Sequence, residues 1–169
     1  MEQPDNRTRF RLTPVGVVFT LLVPVPVAGL VPWLITRWTF QAPFLNVEAL
    51  RLAGAALIAV GVVVYTIAIG HFGHHGAKPF PPVAAIVSAG IYSWMRNPMY
   101  AGVVMVLVGQ AVLFGSRALL AYALAWLVAF HLFEVGYDER ELARMFPDVY
   151  PDYCRRTPRW IPRRPKPRT

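Results

Sequence analysis

Two polar clusters interrupt an otherwise apolar chain. The first runs from Tyr92 through Ser93, Trp94, Met95, Arg96, Asn97, Pro98 and Met99 to Tyr100; the second runs from His131 to Leu142 and holds Glu134, Asp138, Glu139, Arg140 and Glu141. Together they offer carboxylates, a guanidinium, an amide and phenol rings. Ionisable groups beside spanning segments are costly there and are by default functional candidates. His131 and Glu134 are the groups able to take up a proton. His131 and Glu134 are three residues apart and Glu134 and Asp138 four apart, a spacing that predicts one shared helix face. A plainer reading stands beside this: Arg96 pairs with Glu134 or Glu139 and pins two helices together.

Four nearly charge-free segments must position these clusters: Val15 to Ile35, Ala49 to Gly70, Tyr100 to Phe114 and Ala118 to Val135. A helix needs roughly 20 apolar residues to cross the hydrocarbon, fewer if its flanks snorkel. The expected fold is therefore all-α, a polytopic membrane protein with about four transmembrane helices, followed by a helical C-terminal extension and tail. The short turn Gly115-Ser116-Arg117 makes the last two segments a tight antiparallel hairpin, which carries both clusters to the same membrane face. That places Arg96, Asn97 and Tyr100 near His131, Asp138 and Glu139. In the first segment Pro24, Pro26 and Pro32 predict a kinked helix whose freed carbonyls find partners on neighbouring helices. The segment's length and its lack of a small-residue cleavage pattern argue against a removable signal peptide.

A net charge of +8 on 169 residues raises the possibility of nucleic acid, yet the basic residues flank the apolar segments rather than forming a soluble face. Arg7, Arg9 and Arg11 precede the first segment, and Arg140, Arg144, Arg155, Arg156, Arg159, Arg163, Arg164, Lys166 and Arg168 follow the last. By the positive-inside rule both ends face the cytoplasm, which requires an even number of spans in the inner membrane. The basic tail is expected to lie on anionic lipid head groups. The division is a lead-in at 1–14, a bundle at 15–135 with a cytoplasmic loop at 71–99, a tail over the site at 136–162 and a disordered basic end at 163–169. Cys154, the single cysteine, reads as an inert thiol with only Arg155 and Arg156 beside it. His71, His74 and His75 invite a metal reading, but no cysteine or spaced acid completes a ligand set, so no metal site is expected. Gly54, Gly61, Gly102 and Gly109 permit close helix contact, within or between chains.

The order and spacing of further residues carry a family resemblance. Pro79-Phe80-Pro81-Pro82 is followed by Gly90-Ile91-Tyr92, then Arg96-Asn97-Pro98-Met99-Tyr100 with Gly102, then Asp138-Glu139-Arg140-Glu141-Leu142 with Phe146, Tyr150, Tyr153, Pro158 and Pro162. This stretch, from Gly76 to Pro162, resembles the isoprenylcysteine carboxyl methyltransferase and phospholipid N-methyltransferase superfamily of membrane enzymes. It departs from the pattern at Asn97, where the carboxyl methyltransferases tend to have histidine, at Asp138, the first acid of the pair, and at Pro147, the usual glycine.

The resemblance implies an S-adenosyl-L-methionine-dependent methyltransferase. Its cofactor pocket would be lined by Tyr92, Arg96, Asn97, Pro98 and Tyr100 on one side and by His131, Asp138 and Glu139 on the other, with Arg96, Glu139, His131 and Glu134 as the catalytic candidates. The acceptor would be lipophilic, either an isoprenylcysteine-like carboxylate or a lipid amine. Two other functions fit a chain of this kind: a nicotinamide-dependent membrane reductase, since sterol reductases resemble these enzymes in their last helices, and a non-enzymatic lipid-binding protein.

Overall fold

The computed structural model describes residues 24–74 and 90–164. The lead-in, the first part of the first apolar segment, His75, Pro79 to Pro82 and residues 165–169 lie outside the described residues. All regular structure within them is helical. Pro26–Leu30 and Val31–Thr36 form one helix, α1, wound as a π-helix in its first turn. It is followed by α2 (Ala49–His74), α3 (Pro98–Phe114), α4 (Arg117–Phe133), α5 (Glu139–Met145) and α6 (Tyr150–Arg156). Between α4 and α5 the residues Glu134–Asp138 continue as a π turn, so the helix runs unbroken from Arg117 to Met145.

Two helices are long and apolar enough to cross a membrane: Ala49–His71, 23 residues with mean hydropathy 2.5, and Arg117–Met145, 29 residues with mean hydropathy 1.8. Pro26–Thr36 and Pro98–Phe114 are shorter apolar helices. At 1.5 Å per residue α3 reaches about 26 Å, a little under the hydrocarbon thickness of about 30 Å. Leu52, Val60, Val63, Ile67, Leu124, Val128 and Leu132 point outward from α2 and α4. A continuous apolar exterior of this kind belongs against lipid.

The closest helix pairing is α2 on α3, and glycine explains it. A Cβ on Gly54 would stand 2.7 Å from the Gly109 carbonyl oxygen and one on Gly109 2.8 Å from that of Gly54; Gly61 and Gly102 repeat the arrangement at 2.8 and 2.9 Å. Two reciprocal pairs, seven residues apart on each helix, let antiparallel backbones touch. These glycines are thus consumed inside the chain.

The π-wound helix α1 is held by polar groups that its own prolines demand. Pro32 has no N–H to offer the carbonyls one turn earlier. Gln110 Nε2 donates to the Ala28 carbonyl at 2.7 Å, and the Tyr122 hydroxyl to the Val27 carbonyl at 3.1 Å. The expected re-satisfaction of freed carbonyls is met by one side chain each from α3 and α4.

The predicted hairpin forms between α3 and α4. Gly115 ends α3 in the left-handed region (φ 68°), where a Cβ would strike the Ala42 carbonyl, and the Ser116 hydroxyl caps α4 by accepting the Leu119 N–H at 3.3 Å. At this end of the bundle Arg51 donates to the Leu113 and Gln41 carbonyls, each at 2.8 Å, tying the α1–α2 connection to the end of α3. All the candidate chemistry lies at the other end.

Candidate active site at the open end of the hairpin

The antiparallel hairpin puts the start of α3 beside the end of α4. Pro98 opens α3 at a position whose N–H would be unpaired in any case, and Asn97 stands before it without using its side chain as a cap. The tail then returns across this end. Arg96 N–H donates to the Pro158 carbonyl at 2.9 Å and Arg163 N–H to the Trp94 carbonyl at 3.1 Å. The Tyr153 hydroxyl donates to the Tyr92 carbonyl at 2.8 Å. Burial pushes the Tyr92 and Tyr153 phenols well above their ordinary range, so both stay protonated. The bond at Arg163 carries the docked tail one residue past Pro162.

Charged groups under this strap form a connected set. Arg96 Nη1 donates to Glu139 Oε1 at 2.8 Å and to Cys154 Sγ at 2.9 Å. Arg159 grips the same carboxylate with both arms, Nε to Oε1 at 2.7 Å and Nη2 to Oε2 at 2.8 Å. That bond raises the Arg159 guanidinium further above its already high range. Of the two partners foreseen for Arg96, the structure selects Glu139. Cys154 does not stand among neighbouring arginines alone: its close partner is Arg96, brought from across the fold.

Asp138 accepts a hydrogen bond from the Tyr100 hydroxyl at 2.8 Å, and the Tyr100 ring stacks on Phe130 with centroids 4.7 Å apart. Of the three residues expected on one helix face, Glu134 and Asp138 turn inward while His131 is exposed. In the π turn the Glu139 N–H bonds to the Glu134 carbonyl. Residues five apart on an α-helix diverge by about 140°; the wider turn swings Glu134 and Glu139 toward one arginine, Glu134 Oε1 lying 3.9 Å from Arg159 Nε. His131 is left exposed at the rim, with Trp160 Nε1 3.4 Å from its Nδ1.

Several buried polar atoms have no hydrogen-bond partner among the described residues. They include Arg96 Nε, Asn97 Nδ2 and both carboxylate oxygens of Glu134, a residue 1% exposed. The Asn97 amide faces Glu134 without reaching hydrogen-bond geometry. Donors and acceptors stranded side by side are unusual in a finished core and mark a place for a ligand with both kinds of group. A cavity of about 320 Å³ lined by Ile35, Gln41 and Gly115 to Ala118 lies at the opposite end of the bundle and holds none of them. Among the described residues no three His, Cys, Asp or Glu side chains gather as metal ligands would.

A profile of the phospholipid methyltransferase family matches residues 50–149, more than half of the chain. The chain belongs to the phospholipid methyltransferase family. The match runs from α2 through both polar clusters and ends just before α6. Searches of curated proteins and of solved structures return no match. Membership makes the protein a methyltransferase of the membrane-associated type, in keeping with its two span-length helices.

In this chain Arg96, Asn97, Tyr100, Glu134, Asp138 and Glu139 meet at one end of the hairpin, Tyr92 and Pro98 are buried, and His131 stays at the edge. Arg159, Cys154 and Trp160 join the site without having been singled out as its members. The clue to Arg159 was its place between Pro158 and Pro162 in a tail that had to cover something; sequence spacing contains no distance from there to Glu139.

Proposed function

We propose that the protein transfers a methyl group from S-adenosyl-L-methionine to a lipophilic acceptor at the cytoplasmic face of the membrane. The observation that carries this is the pair of buried, unpartnered donors, Arg96 Nε and Asn97 Nδ2, beside the Tyr100–Phe130 stack. Each buried donor left unpaired costs about 1–3 kcal/mol, which a carboxylate bound there offsets. The fit to the cofactor is chemical: donors for its carboxylate, and aromatic faces for its sulfonium. Bound there, the cofactor supplies an electrophilic methyl group that an in-line nucleophile can take.

The protein's own residues bind, align and exclude water, which is most of what such a displacement requires. Arg96 and Asn97 hold; Tyr100, fixed by Asp138 and Phe130, sets the aromatic wall. Glu139 acts through the arginines it anchors, as a positioning residue. For a protic acceptor, His131 at the rim is placed to pass the proton to solvent. Arg96, Arg140, Arg144, Arg155, Arg156, Arg159, Arg163 and Arg164 sit at this end and Arg37, Arg51 and Arg117 at the other, which supports a cytoplasmic site by the positive-inside rule. Counted with the two shorter apolar helices, the two span-length helices give the four crossings that this reading expects.

The test is incubation of the purified protein with methyl-labelled S-adenosyl-L-methionine and a membrane lipid extract. Label should enter the organic phase with the wild type, and Arg96→Lys, which lacks the planar fork, should lower incorporation at least about tenfold. Label appearing only in water-soluble products, or equally with both proteins, contradicts the proposal.

A further inference from the structure

The π turn buries a carboxylate that no hydrogen bond satisfies, although the Asn97 amide faces it and Arg159 stands 3.9 Å away. The Glu134 side chain is 2% exposed, both its oxygens lack a hydrogen-bond partner among the described residues, and the nearest guanidinium nitrogen, Arg159 Nε, is 3.9 Å away, beyond hydrogen-bond reach. A carboxylate removed from water without donors is costly. Two nearby arginine side chains could have satisfied it. Instead both are committed to Glu139, at 2.8 Å from Arg96 and 2.7 Å from Arg159. The turn that brings Glu134 here is itself irregular, a single π turn in a long helix, and such turns recur at functional sites.

We infer that Glu134 is a recognition site for a primary ammonium group. An –NH3+ is compact, cationic and carries three donors, so it can supply bonds to both Glu134 oxygens, the number left open there. Glu134 itself would repel an anion, which the donors Arg96 Nε and Asn97 Nδ2 would take instead. The arrangement disfavours a purely structural role, because the Arg159 contact is long while Glu139 takes the short bidentate bonds. Two ammonium groups could come to this site: the α-amino group of the cofactor, or an amine on the acceptor. The inference rests on the methyltransferase reading for the identity of these ligands, while the chemistry recognised is the same for either.

The test compares wild type with Glu134→Gln in two measurements on the detergent-solubilised full chain. In thermal unfolding without ligand, Glu134→Gln should melt at the same temperature or higher, since it removes an uncompensated buried charge; a lower melting temperature would assign Glu134 to holding the tail and overturn the inference. In calorimetry, four probes separate the sources: S-adenosylhomocysteine, its analogue lacking the α-amino group, dodecylamine and dodecanol. Binding of S-adenosylhomocysteine about tenfold weaker in Glu134→Gln, with the deaminated analogue unchanged, places the cofactor's ammonium at Glu134. The same loss for dodecylamine but not dodecanol places the acceptor's amine there. Equal affinities of both proteins for both amines overturn the inference. Wild type that binds dodecylamine through Glu134 but no S-adenosylhomocysteine would leave the ammonium site standing and remove the cofactor reading.

Discussion

At the scale of single residues, the site is a balance of satisfied and unsatisfied charges. Glu139 is enclosed by Arg96 and Arg159, with side chains 18%, 11% and 41% exposed respectively. Truncating one member of a largely buried ionic set strands the others. Glu139→Met should therefore cost about 3 kcal/mol in unfolding free energy, and Arg96→Met a similar amount. The double replacement should cost less than the sum of the singles, by about 1–3 kcal/mol, because neither charge is then left alone. Denaturant unfolding in mixed micelles measures the cycle; strictly additive losses would mean that the pair is not coupled. The existence of an Arg96 partner among the acids of the second cluster was legible in the sequence, because a three-residue turn dictates which ends of two helices meet. Which acid it would be was not legible. That choice depends on the π turn and on Arg159, a residue supplied by a tail with no fixed spacing to either acid.

At the scale of elements, apolar run lengths and the Gly115-Ser116 turn foretold α2, α3, α4 and their order. Helix α1 shows how proline becomes usable in a bundle. Its stability depends on donors that belong to other helices: Gln110 serves Ala28 and Tyr122 serves Val27. Gln110→Leu should lower stability by about 1 kcal/mol, in line with polar contacts between membrane helices. In a Pro32→Ala background the same change should cost clearly less, since the replacement of the proline restores a backbone N–H that can serve the Ala28 carbonyl. Thermal unfolding of the four proteins decides this, and an equal loss in both backgrounds contradicts the explanation. The pairing of Gly54 with Gly109 and of Gly61 with Gly102 was visible in the sequence only as permission for close approach. Whether the partner would be another copy or another helix of the same chain is settled by the antiparallel register of α2 and α3, which brings the two heptad-spaced pairs into coincidence.

At the scale of the whole molecule, the bundle presents its apolar sides to lipid and gathers its charged and stranded polar groups at one end. The tail crosses back over this end, bonded to the backbone of Trp94 and Arg96. A lipophilic acceptor would reach such a site from the side, through the membrane, while a water-soluble cofactor would come from the tail side. The central claim is that the stranded donors at the start of α3 bind that cofactor. Calorimetric titration of the detergent-purified protein with S-adenosyl-L-methionine, repeated with Asn97→Ala, tests it most directly. Micromolar binding by the wild type, weakened at least about tenfold in a variant that melts no lower than its parent, is the predicted result. A folded wild-type sample that binds no S-adenosyl-L-methionine, or an Asn97→Ala variant that binds it as tightly as its parent, would contradict the account.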